Sequence, residues 1–197
     1  MLISRFPPLV VFAVPKTGSV SIETAFAPHF DMVMSKNPNL KHMPVRTYEA
    51  SLQNFVTRKV AKNPEKIAVV REPLDWILSW WRYRMRPEID GKPNSTKGVS
   101  AEDFILSYMS DEPATYANVG SQHAFLHNKA GELGVDRLFR FDDLDALVGY
   151  LNMRLRVEVS IAHLNASPAN DSGVSPDVAD AYRRYAAKEY ALYESVA

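Results

Sequence analysis

Apolar and polar positions fall into two kinds of block along this chain. Short, unbroken apolar runs rich in Val and Ile alternate with longer stretches whose apolar residues recur at helical spacing. Residues 9–14 (Leu-Val-Val-Phe-Ala-Val) predict a first strand, and about 19–27 a first helix. Phe30 to Met34 predicts a short second strand, and Ser35 to Met43 a polar loop. Pro44 to Phe55 predicts a helix with Pro44 in its first turn. Lys66-Ile67-Ala68-Val69-Val70-Arg71 is a further strand, and Glu72-Pro73 opens a helix from Leu74 to about Met85 that Pro87 ends. Pro87 to Gly98 reads as a surface loop, Ser100 to about Met109 as a helix, and Gln122 to Asn128 as a short helix. Ser110 to Gly120 and Val157 to Ala162 carry no clear pattern, and His163 to Gly173 reads as a loop. Arg137 to Phe141 predicts a strand, 143–153 a helix, and Ser175-Pro176-Asp177 starts a final helix to about Tyr193. Tyr182, Tyr185, Ala186 and Tyr190 are expected to dock that helix.

Strands alternating with helices predict an α/β fold, a parallel sheet flanked by helices. Ligands in such sheets bind at the carboxyl ends of the strands. The loops after Val14, Val33 and Val70 are then expected on one edge, where Lys16, His42 and Arg71 can converge.

One stretch organises that edge: Val10-Val11-Phe12-Ala13-Val14-Pro15-Lys16-Thr17-Gly18-Ser19-Val20-Ser21-Ile22-Glu23. It reads as strand, tight loop and helix. Free backbone N–H groups and the positive end of the helix dipole meet there, which favours an anion of the phosphate kind. Lys16 adds a full charge, and Thr17, Ser19 and Ser21 add hydroxyl donors. A solvated loop lysine is the plain alternative for Lys16.

Composition narrows the partners. The 197 residues suit a single domain spanning 1–197, with an ordinary 46% hydrophobic and 23% charged content. The formal net charge is zero, so wholesale attraction to nucleic acid or an anionic membrane is not expected. There are no cysteines, which removes disulfides, thiol catalysis and Cys-ligated metal. No apolar run approaches the roughly 20 residues of a membrane span. The N-terminal apolar segment leads straight into the loop and reads as structure rather than a cleaved signal. A reducing cytoplasm is the default location; oligomeric state is left open.

The loop does not match Gly-x-x-x-x-Gly-Lys-Ser/Thr, because Lys16 precedes Gly18 and no Gly precedes Lys16. Pro15-Lys16-Thr17-Gly18-Ser19-Val20-Ser21 instead resembles the 5'-phosphosulfate loop of sulfotransferases that use 3'-phosphoadenosine 5'-phosphosulfate (PAPS). Ile67 to Trp81, a strand ending in Arg71 followed by a helix bearing Ser79, resembles that family's 3'-phosphate site. The likeness is closest to the carbohydrate branch. It covers both motifs firmly and the order of elements to about residue 170 loosely. It implies a P-loop-NTPase-like sulfotransferase fold, PAPS as donor and adenosine 3',5'-bisphosphate as product, with no metal required. The implied acceptor is a hydroxyl-bearing small molecule or glycan.

Under that resemblance, Pro15 to Ser21 (Val20 included) hold the 5'-phosphate, Lys16 stabilises charge on the leaving oxygen, and Arg71 and Ser79 hold the 3'-phosphate. A surface ion pair of Arg71 with Glu72 or Asp75 is the plain alternative. His42, in Lys41-His42-Met43-Pro44, is the candidate general base, against a histidine that caps the next helix. Lys41 is a candidate contact for an acidic acceptor. The resemblance also places Gln122 and His123 near the acceptor, and the late loop with His163, Asn165 and Ser167 near the cofactor. His123 and His127 are four apart, a spacing that can bind metal, but no acidic ligand completes a site. Trp76, Trp80 and Tyr83 read as a core stripe, and Arg82, Arg84 and Arg86 as a basic helix end open to an anionic acceptor or serving the helix terminus. The loops Pro87–Gly98 and Ser110–Gly120 are expected to shape the acceptor site. Two rivals remain: a nucleotide-dependent small-molecule kinase, with Asp142 and Asp143 as its best-placed carboxylates, and a non-catalytic PAPS-binding module of the same fold.

Overall fold

The structure is a computed structural model that describes residues 1–161 and 173–196. Five strands form one sheet: β1 (Leu2–Ser4), β2 (Leu9–Phe12), β3 (Met32–Val33), β4 (Glu65–Val70) and β5 (Arg137–Arg140), in the order β3-β1-β2-β4-β5. The fold is α/β as expected, but the sheet is mixed rather than parallel. β2, β4 and β5 run parallel, with Val11 opposite Ile67 and Ile67 opposite Arg137. β1 pairs antiparallel with both β2 and β3. Its three residues precede a tight turn and are too few to announce a strand on their own. Two antiparallel pairings in succession restore direction, so β3 points the same way as β2. The carboxyl ends of β2, β3, β4 and β5 therefore do share one edge.

Ten α-helical segments occur among the described residues: α1 (Ser19–Phe26), α2 (Pro38–Lys41), α3 (Val45–Ser51), α4 (Gln53–Phe55), α5 (Pro73–Arg84), α6 (Ala101–Met109), α7 (Gln122–Leu126), α8 (Leu144–Leu155), α9 (Pro176–Tyr185) and α10 (Ala187–Glu194). The expected helix 44–55 is interrupted at Leu52 and continues as a π-helical turn, Val56–Val60. Pro44 caps α3 from an extended conformation rather than entering its first turn. Asn37 caps the short α2 inside the expected 35–43 loop by accepting from the Asn39 N–H. The expected last helix breaks at Ala186 into α9 and α10.

The described residues group into two compact units: 1–71 with 122–161 and Val196, and 72–121 with 173–195. In the first, strand alternation sends Leu9, Val11, Ile67 and Val69 to one sheet face, where they pack with Ile22 and Phe26 of α1 and Leu147 and Leu151 of α8. Phe12 meets Tyr48 of α3 edge-to-face, ring centres 5.2 Å apart.

The second unit has its own core of Trp76, Ile77, Phe104, Ile105, Tyr182, Ala186 and Tyr190. Tyr182, Ala186 and Tyr190 dock the helices as expected, whereas Tyr185 is largely exposed and touches the core only at its edge, 5.9 Å from the Tyr108 ring centre. Trp76, Trp80 and Tyr83 form an edge-to-face ladder along α5. Of the arginines expected as a basic helix end, Arg82 and Arg84 turn back into the unit, whereas Arg86 lies past the end of α5 and is exposed. Arg82 pairs with Asp75 at 3.0 Å, and Arg86 lies over the Tyr83 ring. Buried Arg84 donates to the carbonyls of Thr115, Tyr116 and Asn118, which fixes the patternless 110–120 segment. The 87–98 loop is pinned by Thr96, fully buried, whose hydroxyl donates to the Trp81 carbonyl at 2.8 Å. No helix among the described residues is long and apolar enough to cross a membrane.

Candidate anion site at the carboxyl edge of the sheet

The loop between β2 and α1 bends on two left-handed residues, Lys16 at φ 68° and Gly18 at φ 73°. Glycine takes that region without strain, whereas lysine adopts it at a cost of about 1 kcal/mol or more. A Cβ at position 18 would lie 3.2 Å from both Leu144 Cδ1 and Phe141 Cε2, so sterics and φ both demand Gly18. The loop is closed by Thr17, whose buried hydroxyl donates to the Val14 carbonyl at 2.9 Å. That bond places the Thr17 hydrogen inside the loop rather than toward a ligand.

Gly18 then serves as the N-cap of α1, with no side-chain cap and no acidic residue in the first turn. The first turn, Ser19-Val20-Ser21, thus presents its N–H groups without a built-in carboxylate or hydroxyl acceptor. Ser19 is buried, Ser21 half-buried, and Val20 is 65% exposed.

Two side chains from distant parts of the chain, one cationic and one a neutral imidazole, reach this loop. Arg71, at the end of β4, donates from Nη1 to the Lys16 carbonyl at 3.1 Å and is itself buried. Its guanidinium carbon lies 4.3 Å from the centre of the Phe141 ring. Phe141 directly follows β5, so the parallel β4–β5 pairing brings the two side by side. Gln122 fixes the backbone beneath: it accepts from the Arg71 N–H at 2.8 Å and donates to the Arg71 carbonyl at 2.9 Å. Gln122 is 1% exposed, so the structure places it as a support of Arg71 rather than in an open acceptor site.

His42, just past α2, bonds through Nδ1 to the Ala13 carbonyl at 2.7 Å. A carbonyl can only accept, so Nδ1 carries the hydrogen. In the neutral ring Nε2 then holds the lone pair. Burial, the largest influence, pushes the His42 pKa below its usual value, and Lys41 adds to that; the Ala13 hydrogen bond opposes it. Lys41 is ion-paired with Glu23 of α1 at 2.9 Å, both side chains largely buried. This pair ties α2 to α1 beside His42 and uses the charge that was expected to meet an acidic acceptor.

Pro15, Lys16, Thr17, Gly18, Ser19, Val20, Ser21, His42 and Arg71 are therefore gathered at one edge. Ser79 lies in the second unit, buried in α5, and donates to the Trp76 carbonyl at 2.6 Å. Its grouping with Arg71 stands on the sequence pattern. His123 stacks on His127, ring centres 3.6 Å apart, and His127 Nδ1 bonds the His123 carbonyl at 2.7 Å. Asp143 caps α8 by accepting from the Ala146 N–H. His163, Asn165 and Ser167 lie outside the described residues. Phe141, the Gln122 clamp and the Glu23–Lys41 pair escaped sequence reasoning. Only Phe141 left a signal, its position immediately after a strand at the binding edge. No protein-family model matches the chain, and neither a curated protein nor a solved structure matches it.

Proposed function

We propose that this chain is a PAPS-dependent sulfotransferase acting on an acceptor hydroxyl, of a carbohydrate or glycoconjugate by the resemblance of its two motifs. The observation that carries the reading is the convergence of His42 and Arg71 on the Ala13–Gly18 loop, each through a hydrogen bond to a loop carbonyl. The donor set fits a phosphorylated ligand. An uncapped helix N-terminus, the Lys16 ammonium and the Arg71 guanidinium are all donors, and none needs a metal to attract an anion.

PAPS supplies a sulfuryl group already activated on a phosphate. The chain's own residues do the rest. The Ser19–Ser21 N–H groups and Lys16 hold the 5'-phosphate and stabilise charge that grows on it. One such donor is typically worth on the order of 3–4 kcal/mol in a transition state. Arg71, braced by Phe141 and Gln122, is the proposed 3'-phosphate anchor, with Ser79 added from the sequence pattern. His42 Nε2 accepts the acceptor's hydroxyl proton. The bond from Nδ1 to Ala13 fixes both tautomer and ring orientation, and the lowered pKa keeps the base form present at neutral pH.

The test has two stages. Thermal stabilisation by adenosine 3',5'-bisphosphate without metal is expected. Stabilisation only by Mg-ATP overturns the reading in favour of a kinase. Labelled PAPS is then offered with sugar, lipid and phenol acceptors; PAPS affinity with no turnover on any of them favours a binding module.

A further inference from the structure

The amino edge of the same sheet carries a second feature that the loop chemistry leaves unused. Residues 5–8 turn from β1 into β2, and the π-helical turn Val56–Val60 leads toward β4. Between them lies a groove of about 540 Å³, lined by Arg5, Phe6, Arg58, Lys59 and Lys62 among others. It has four cations and no carboxylate on its walls. None of the four forms an ion pair among the described residues. Phe6 is 81% exposed, more than any other large hydrophobic residue of the described chain, and the Arg5 guanidinium lies 5.2 Å from its ring centre.

Each part is unusual for a surface that meets only water. The chain has zero formal net charge, so four unpaired cations in one groove are a local concentration and not a reflection of overall basicity. The exposed phenylalanine stands at the tip of a tight turn, where burial against the protein is out of reach. The turn behind Arg58 and Lys59 is π-helical, closed by the Ala61 N–H to the Val56 carbonyl at 2.9 Å. Such turns are rare and concentrate at functional positions.

We propose that this groove docks the protein on an anionic bilayer surface. Lipid headgroups occupy the cation-lined groove, and the Phe6 ring enters the headgroup–acyl boundary beside them. Charge complementarity favours an anionic surface, and an apolar ring at the rim is satisfied by a membrane but not by a small soluble anion. The groove lies at the opposite end of the strands from the Ala13–Gly18 loop. β4 is six residues long, which at about 3.3 Å per residue sets the two about 20 Å apart. Docking at the amino edge therefore leaves Lys16, His42 and Arg71 outside the contact.

The test is co-sedimentation of the full chain with phosphatidylcholine vesicles, with and without about 30 mol% phosphatidylserine. Binding is expected only with phosphatidylserine, and it should fall steeply between about 0.05 and 0.5 M salt. Phe6→Ser should weaken it about tenfold, and Lys59→Glu with Lys62→Glu at least as much. All three positions are exposed, and an unchanged melting temperature in each variant certifies the fold. Equal binding to phosphatidylcholine alone, no binding to either vesicle, or no effect of Phe6→Ser overturns the proposal. So does equal affinity, per headgroup, for monomeric dihexanoyl-phosphatidylserine, which identifies a soluble-anion site instead. The readout involves no turnover, so its outcome is independent of the sulfotransferase reading.

Discussion

Two charged clusters at opposite ends of the central strands, one around Glu65 and one around the Ala13–Gly18 loop, are held in different ways. At the amino end of β4, Glu65 accepts from Tyr150 at 2.5 Å, from Arg137 at 3.2 Å and from Arg154. Arg137 and Arg154 both lie over the Tyr150 ring. Burial pushes the Glu65 pKa up, but the hydrogen bonds from Tyr150, Arg154 and Arg137 together hold it below the ordinary carboxylate value. This is a network in which one carboxylate serves two arginines and a tyrosine hydroxyl. At the carboxyl end, Arg71 and His42 bond the carbonyls of Lys16 and Ala13. A carbonyl accepts the hydrogen bond and so fixes the orientation of each donor group. The first arrangement gathers its donors on one carboxylate. The second orients Arg71 and His42 on backbone carbonyls of one loop, which is the geometry the proposed function uses.

The contrast breaks if both ends respond alike to mutation. The largest effect is expected for His42→Ala, a loss of roughly 100- to 10,000-fold in turnover with affinity for adenosine 3',5'-bisphosphate retained. An unchanged rate removes His42 from the mechanism. The pH profile sharpens this. Burial lowers the His42 pKa, so the base form persists below the usual histidine value of about 6.5, and the acid limb of kcat/KM should fall below that pH. The limb should vanish in the alanine variant. The same sign applies to stability: His42 contributes above its unfolded pKa, and the contribution is lost as pH falls through the lower folded value. Lys16→Ala comes next, with kcat reduced about 100- to 1,000-fold. Because Lys16 occupies a left-handed position, its melting temperature should hold or rise in a Lys16→Gly variant while turnover is still lost.

How much of this was legible in the sequence follows from where the determining contacts lie. The loop, α1 and the β4–Arg71 strand end were readable because each is local: an apolar run, a glycine and a proline within a few residues of one another. His42 was readable as a candidate, but its attachment to Ala13 spans 29 residues and has no pattern. The mixed sheet was hidden because β1 is three residues long and gains its identity only by pairing with β2 and β3. Gln122 was marked as a substrate contact by resemblance. Its grip on Arg71 spans 51 residues, and only the fold reveals it. Arg82 and Arg84 of α5 misled for the same reason: a helix end dense in charge looks open until Asp75 and the carbonyls of Thr115, Tyr116 and Asn118 are seen to meet it.

The opposite end of the strands supplies the converse test. Glu65→Ala leaves Arg137, Arg154 and Tyr150 without their shared acceptor and should destabilise the protein by about 1–3 kcal/mol, with cofactor affinity and rate little changed. Since the Glu65 pKa is held low, its contribution is present above the ordinary carboxylate value and is lost as pH falls through the folded value. The wild-type melting temperature should therefore drop more steeply on acidification than that of Glu65→Ala. A turnover loss as large as that of Lys16→Ala would dissolve the distinction between the two ends.

The smallest effect tests the boundary inside the anion site itself. Gly18→Ala adds no charge and removes no donor, but it forces a Cβ into a left-handed residue at 3.2 Å from Leu144 and Phe141. The strain should cost about 1–2 kcal/mol of stability. Phe141 also stacks under Arg71, so its displacement reaches the proposed 3'-phosphate anchor. Affinity for adenosine 3',5'-bisphosphate should fall several-fold while the pH profile set by His42 keeps its shape. If thermal melting shows no loss of stability, the left-handed turn at Gly18 is not what holds the loop. Its bonds to Thr17, His42 and Arg71 must then suffice.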